Sequence, residues 1–158
     1  MHKVKSVKSA ELFPAISELL QNNQKVRITV TGNSMMPFLR ENRDSVELSS
    51  AVIEDLRFGQ IALIRRNDGV YVLHRIILKV KSSFYLAGDA QCWVEGPLLQ
   101  EQLVAVVTNV WRKDKQISTS NIFWQVLSFL WWIRLPVRFI FTKPYKFLSR
   151  VFKAILRG

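Results

Sequence analysis

Cysteine is nearly missing from this chain: Cys92 is the only one in 158 residues. That excludes an internal disulfide and a zinc centre built on several thiolates. Cys92 itself is expected to sit as a small buried hydrophobe. Histidine is almost as scarce, and of the two, His2 lies at the extreme N-terminus, where chains are poorly held. Any imidazole chemistry therefore falls to His74. No uninterrupted apolar run reaches the roughly 18–20 residues of a bilayer-spanning helix. No secretory signal is visible, because Glu11, Pro14 and Glu18 interrupt the apolar stretch that would have to follow the basic start. Internal repeats and low-complexity tracts are absent too. Acidic residues are missing from positions 121–158. That segment holds seven basic residues (Arg134, Arg138, Lys143, Lys146, Arg150, Lys153 and Arg157), so it carries +7 of the net charge of +11.

What is present is apolar material, 49% of the chain, enough for one domain with its own core plus an appendage. Residues 10–22 place Leu12, Ala15, Ile16, Leu19 and Leu20 on one side of a short helix, with Pro14 tolerated in its first turn. Residues 25–31 alternate, with Val26, Ile28 and Val30 inward, as a half-buried strand does. Further strands are expected at 44–48, 60–66, 70–80, 84–87 and 102–111, and Asn67-Asp68-Gly69 is a hairpin turn signal. Six or so short strands with tight turns predict a mainly β fold, either a folded sheet or a partly closed barrel. A short N-terminal helix and a C-terminal helical tail complete it. The organisation read from the sequence is an N-terminal helical segment (1–24), a β domain (25–112), a polar linker (113–121) and a basic aromatic tail (122–158).

Gly32-Asn33-Ser34-Met35-Met36-Pro37 follows the first strand directly, so Ser34 is presented from a loop at the end of a rigid element. A serine hydroxyl is a weak nucleophile unless a base lies within hydrogen-bond reach. His74, in Tyr71-Val72-Leu73-His74-Arg75-Ile76, shares a strand face with Val70, Val72, Ile76 and Leu78. That placement suits a core histidine satisfied by backbone groups and equally a sheltered base. Proximity to Ser34 decides between them.

Taken together, several segments resemble the signal peptidase and self-cleaving repressor superfamily of serine peptidases. They are Gly-Xaa-Ser-Met-Xaa-Pro with its following hydrophobic residue at 32–38, Asp44, a glycine and strand at 59–64, the Leu-His-Arg-Ile-Ile segment at 73–77, and Gly88-Asp89. The resemblance covers roughly residues 25–111. It implies a mainly β, multi-sheet peptidase domain with Ser34 as the nucleophile. It implies His74 as the base, in the manner of the archaeal and endoplasmic-reticulum signal peptidases, where leader peptidases and repressors use a lysine. Lys79 and Lys81 then read as solvated strand-end charges. Residues 88–95 match the stretch in which the histidine branch carries an acid that orients the imidazole, so Asp89 and Glu95 are the candidate third members. The Ser34 backbone N–H, with Asn33 beside it, is the candidate oxyanion hole. The substrate would be a peptide or protein bound as an extended strand, with small side chains beside the cut, and no cofactor or metal is implied. Two departures stand out: Gln60 replaces the usual Asp, and an expected Asp pair is reduced to Val94-Glu95.

The expected function is a serine endopeptidase cleaving a signal or leader peptide near a membrane. The alternatives are a non-catalytic peptide-binding module of the same fold and a self-cleaving regulator, although no Ala-Gly or Cys-Gly cleavage site is evident.

Membrane lipid is the partner expected of the tail. Residues 122–133 are almost continuously apolar and include Trp124, Trp131 and Trp132. Residues 145–156 place Phe147, Val151, Ala154 and Ile155 on one side and Lys146, Arg150 and Lys153 mainly on the other. Tryptophan favours the headgroup region, and cations are drawn to anionic lipid. A spanning helix over 122–141 would place two arginines in or near hydrocarbon, at about 2.5–3.5 kcal/mol for each central one. It would also leave the lysine-rich end outside, against the positive-inside tendency. An in-plane anchor on the cytoplasmic face is therefore expected, with a single-pass helix and a docked soluble helix as alternatives. Nucleic acid is not expected, because the aromatic and aliphatic content favours lipid and residues 1–24 are too few for a DNA-binding domain.

Overall fold

Eight antiparallel strands make one open sheet. They are β1 (Val26–Thr29), β2 (Asp44–Ser49), β3 (Ile61–Arg65), β4 (Tyr71–Val80), β5 (Ser83–Ala87), β6 (Glu95–Leu98), β7 (Leu103–Arg112) and β8 (Lys115–Ser118). Their spatial order is β1-β2-β7-β3-β4-β5-β6, with β8 paired to β7. The fold is mainly β, as the strand count predicts, but the ends of this path do not pair and no barrel closes. The computed structural model describes residues 9–113 and 115–141, with side chains described at 13–113 and 115–133. His2 lies outside these.

Apolar clusters cover the central strands on both faces. Ile61 and Leu63 of β3 join Met35, Leu39, Val46 and Ala105, whereas Ala62 and Ile64 join Ile76, Phe84, Leu86 and Val106. A strand covered on both sides reads as a continuous apolar run, which is what Ile61-Ala62-Leu63-Ile64 is. The β3–β4 hairpin forms where Asn67-Asp68-Gly69 predicts it, with Arg65 opposite Tyr71 and Gly69 at φ +83°.

Four local expectations are corrected. The segment expected as a linker contains β8, a short polar strand paired to the C-terminal end of β7, which has no apolar alternation to reveal it. β6 goes unread in the sequence because Gly96 and Pro97 suppress a strand pattern. In helix α1 (Ser9–Gln21) the inward stripe is Phe13, Ile16 and Leu20, while Ala15 and Leu19 face solvent, and Pro14 stands inside the helix. Phe13 stacks on Tyr71 at 3.9 Å, which fixes that rotation. Cys92 is partly exposed rather than buried.

Helix α2 (Ile122–Phe141) follows β8. Trp124 and Ser128 are buried and Trp131 and Trp132 half-buried, an i, i+4, i+7, i+8 stripe laid on the β domain. Phe38 packs edgewise on Trp124 and Trp131, and Phe58 on Trp132. The tryptophans expected at lipid headgroups are therefore engaged with protein. No helix among the described residues is long and apolar enough to cross a membrane. The second amphipathic stretch, 145–156, lies outside the described residues.

Candidate active site

The Ser34 loop leaves the sheet at Val30 and turns at Gly32, whose φ of +79° belongs to the left-handed region that glycine tolerates best. Met35 and Leu39 are buried and anchor the loop in the core, and the Leu39 N–H donates to the Met35 carbonyl at 2.9 Å. Asp44 ties down its far end. Its carboxylate accepts from Arg43 Nε at 2.8 Å and from the Arg40 N–H at 3.0 Å, and Arg112 Nη2 donates to the Phe38 carbonyl at 2.9 Å. Burial pushes the Asp44 carboxyl up, but the Arg43 hydrogen bonds, the Arg40 N–H and the charge of Arg112 together hold it below its ordinary value. Asp44 thus fixes the loop.

Ser34 itself is half-buried. Its carbonyl accepts the Ala90 N–H at 2.9 Å, and a Cβ on Gly88 would stand only 2.7 Å from that carbonyl oxygen. Only glycine permits so close an approach of the two backbones. Among the described residues neither the Ser34 hydroxyl nor its N–H makes a hydrogen bond. Asn33 points its amide at Glu41 Oε2, 3.5 Å away on the exposed surface.

His74 is 1% exposed and sits opposite Ala62 of β3. Its Nδ1 faces Glu95 Oε2 at 3.3 Å, within ion-pair reach but short of hydrogen-bond geometry, and this enclosed nitrogen has no other partner among the described residues. The strand register explains the meeting. Glu95 lies opposite Leu86, and Leu86 opposite Ile76, two residues beyond His74. Facing positions on paired strands project to one side of a sheet.

Arg66 completes this cluster: its Nε bonds Glu95 Oε1, and its Nη2 donates to Oε2 at 2.7 Å. Burial would raise the Glu95 carboxyl, but the Arg66 hydrogen bonds, then the neighbouring imidazole, bring it down to about 2. Glu95 is an anion at neutral pH. Sequence reasoning misses Arg66. The only local signal is its place at the hairpin turn, and a turn arginine reads as solvated.

Asp89 takes a different place. Both of its oxygens are held by Arg75, Nε to Oδ1 at 2.7 Å and Nη2 to Oδ2 at 2.6 Å, and both side chains are fully buried. Arg75 also donates to the Gly59 carbonyl at 2.7 Å and lies over the Phe38 ring. Asp89 thus anchors Arg75, which joins β4 to the Gly59 turn and to Phe38 of the Ser34 loop. The acid that reaches the imidazole is Glu95. Lys79 directs its ammonium to the Glu54 carbonyl at 2.7 Å.

The Ser34 loop meets the sheet beside Arg75, which neighbours His74 along β4 but projects to the opposite face. Gly88, against the Ser34 carbonyl, directly follows Ala87, and Ala87 lies opposite Arg75, the neighbour of His74. No protein-family model, curated protein or solved structure matches the chain.

Proposed function

We propose that the chain is a serine endopeptidase of the signal peptidase type, in which Ser34 attacks a peptide carbonyl and His74 accepts its proton. The observation that carries this reading is the line of contacts that runs from the buried His74 through Glu95 to Arg66. A histidine kept only for packing would have its nitrogens satisfied by backbone groups. Here Nδ1 has a carboxylate 3.3 Å away, and an arginine fixes that carboxylate as an anion. With Nδ1 turned to Glu95, Nε2 is the nitrogen that serves the hydroxyl.

In this reading Ser34 Oγ adds to the carbonyl carbon while its proton passes to His74, and Glu95 stabilises the imidazolium. The Ser34 N–H donates to the oxyanion. His74 then returns the proton to the leaving amine, and water repeats the sequence on the acyl-enzyme. β6, which carries Glu95, ends the strand path, so an extended peptide can add to its edge. Gln60, a departure from the superfamily pattern, still secures its turn, since its Oε1 accepts the Arg57 N–H at 2.8 Å. The open, mainly β sheet is compatible with a signal-peptidase-like domain.

A serine-directed acylating probe tests the proposal. Wild type should be labelled at Ser34, and Ser34→Ala should lose labelling and at least about 10³-fold in peptide cleavage with an unchanged melting temperature. A second reading, a peptide-binding module, is favoured by the absence of a Ser34 Oγ hydrogen bond among the described residues. Peptide binding by a protein that no probe acylates would establish it and end the peptidase proposal.

A further inference from the structure

We infer that the outward face of α2 is a lipid-docking surface that lays the β domain on an anionic membrane. The first three turns of α2 are apolar on two sides. One side is the tryptophan stripe already docked. On the other, Ile122 is 73% exposed, Phe123 69%, Phe129 56%, Leu130 54% and Ile133 55%. No charged residue occurs from 122 to 133. Contact with its own domain therefore leaves this helix half uncovered, and contiguous apolar patches of this kind mark interaction surfaces.

Charge decides what covers it. Residues 121–158 hold seven cations and no anion. A second copy laid face to face would crowd two such sets together. An anionic bilayer instead receives the apolar side chains at the acyl boundary and the cations among its headgroups. The docked side fixes what then lies at the surface. Trp131 Nε1 donates to the Asp89 carbonyl at 3.0 Å, and Phe38 of the Ser34 loop packs on Trp124 and Trp131. The helix that meets lipid is the one that braces the Ser34 loop. The inference is independent of the peptidase reading, since no catalytic group enters it.

Flotation of the full chain carrying Ser34→Ala, so that proteolysis plays no part, tests it. The chain should float with phosphatidylglycerol–phosphatidylcholine vesicles and bind phosphatidylcholine alone at least about tenfold more weakly. The double variant F123E/L130E, altered at two positions more than half exposed, should lose at least about tenfold in affinity for anionic vesicles while melting like its parent. A parent that stays in the soluble fraction would overturn the inference, as would a double variant that floats undiminished. A lipid-free dimer dissolved by F123E/L130E would assign the face to a second copy instead.

Discussion

Asp89 and Glu95 sit six residues apart and each is met by an arginine, yet the two corners they occupy do different work. At Asp89 the guanidinium of Arg75 takes both oxygens, nothing is exposed, and the same guanidinium reaches the Gly59 carbonyl and the Phe38 ring. At Glu95 the residue keeps some contact with solvent, and Oε2 is shared between Arg66 at 2.7 Å and His74 at 3.3 Å. A fully buried pair joined by two hydrogen bonds is a fastener. A carboxylate fixed on one side by a cation and facing an imidazole on the other can respond when that imidazole gains charge. Residue type does not separate these roles; the third group within reach does.

The largest effect expected from this contrast is on catalysis. Glu95→Gln should lower kcat by about 10²–10⁴-fold, since the imidazolium loses its counter-charge and its orientation, while the protein stays folded by circular dichroism. Asp89→Asn should act on stability, because breaking a buried pair typically costs about 3–5 kcal/mol, read from denaturant unfolding. The contrast collapses if, at a temperature where both variants are folded, Asp89→Asn impairs turnover as severely as Glu95→Gln. The smallest effect is acid dependence. The Glu95 carboxyl, at about 2 in the fold, lies below its unfolded value of about 4.3. Its contribution is therefore complete above pH ~4.3 and drains away as the pH falls towards 2. Glu95→Gln should flatten the melting-temperature profile in that window; an unaltered slope would remove the charge assigned to Glu95.

How much is legible differs by element. The strands around Ser34 and His74 can be read because alternation at Val26, Ile28 and Val30, and the turn chemistry of Asn67-Asp68-Gly69, are local signals. β6 and β8 cannot, one because it contains Gly96 and Pro97, the other because a polar strand has no apolar period to detect. The rotation of α1 departs from its sequence pattern at Ala15 and Leu19, since the contact that sets it, Phe13 on Tyr71, joins residues 58 positions apart. At the site, Ser34, His74 and Glu95 are candidates from the sequence, and Arg66 is invisible there.

The sequence by itself determined the charge asymmetry of 121–158, the loop that presents Ser34 and the strand that carries His74. Each depends on a few neighbouring residues: their charge, their turn preferences, their period. Which acid meets His74, that Arg66 backs that acid, and which side of α2 is left bare were decided only by tertiary structure. The reason is register. Glu95 reaches the imidazole through the row Glu95–Leu86–Ile76, a pairing of three strands fixed by mutual burial and not by any pattern within one of them.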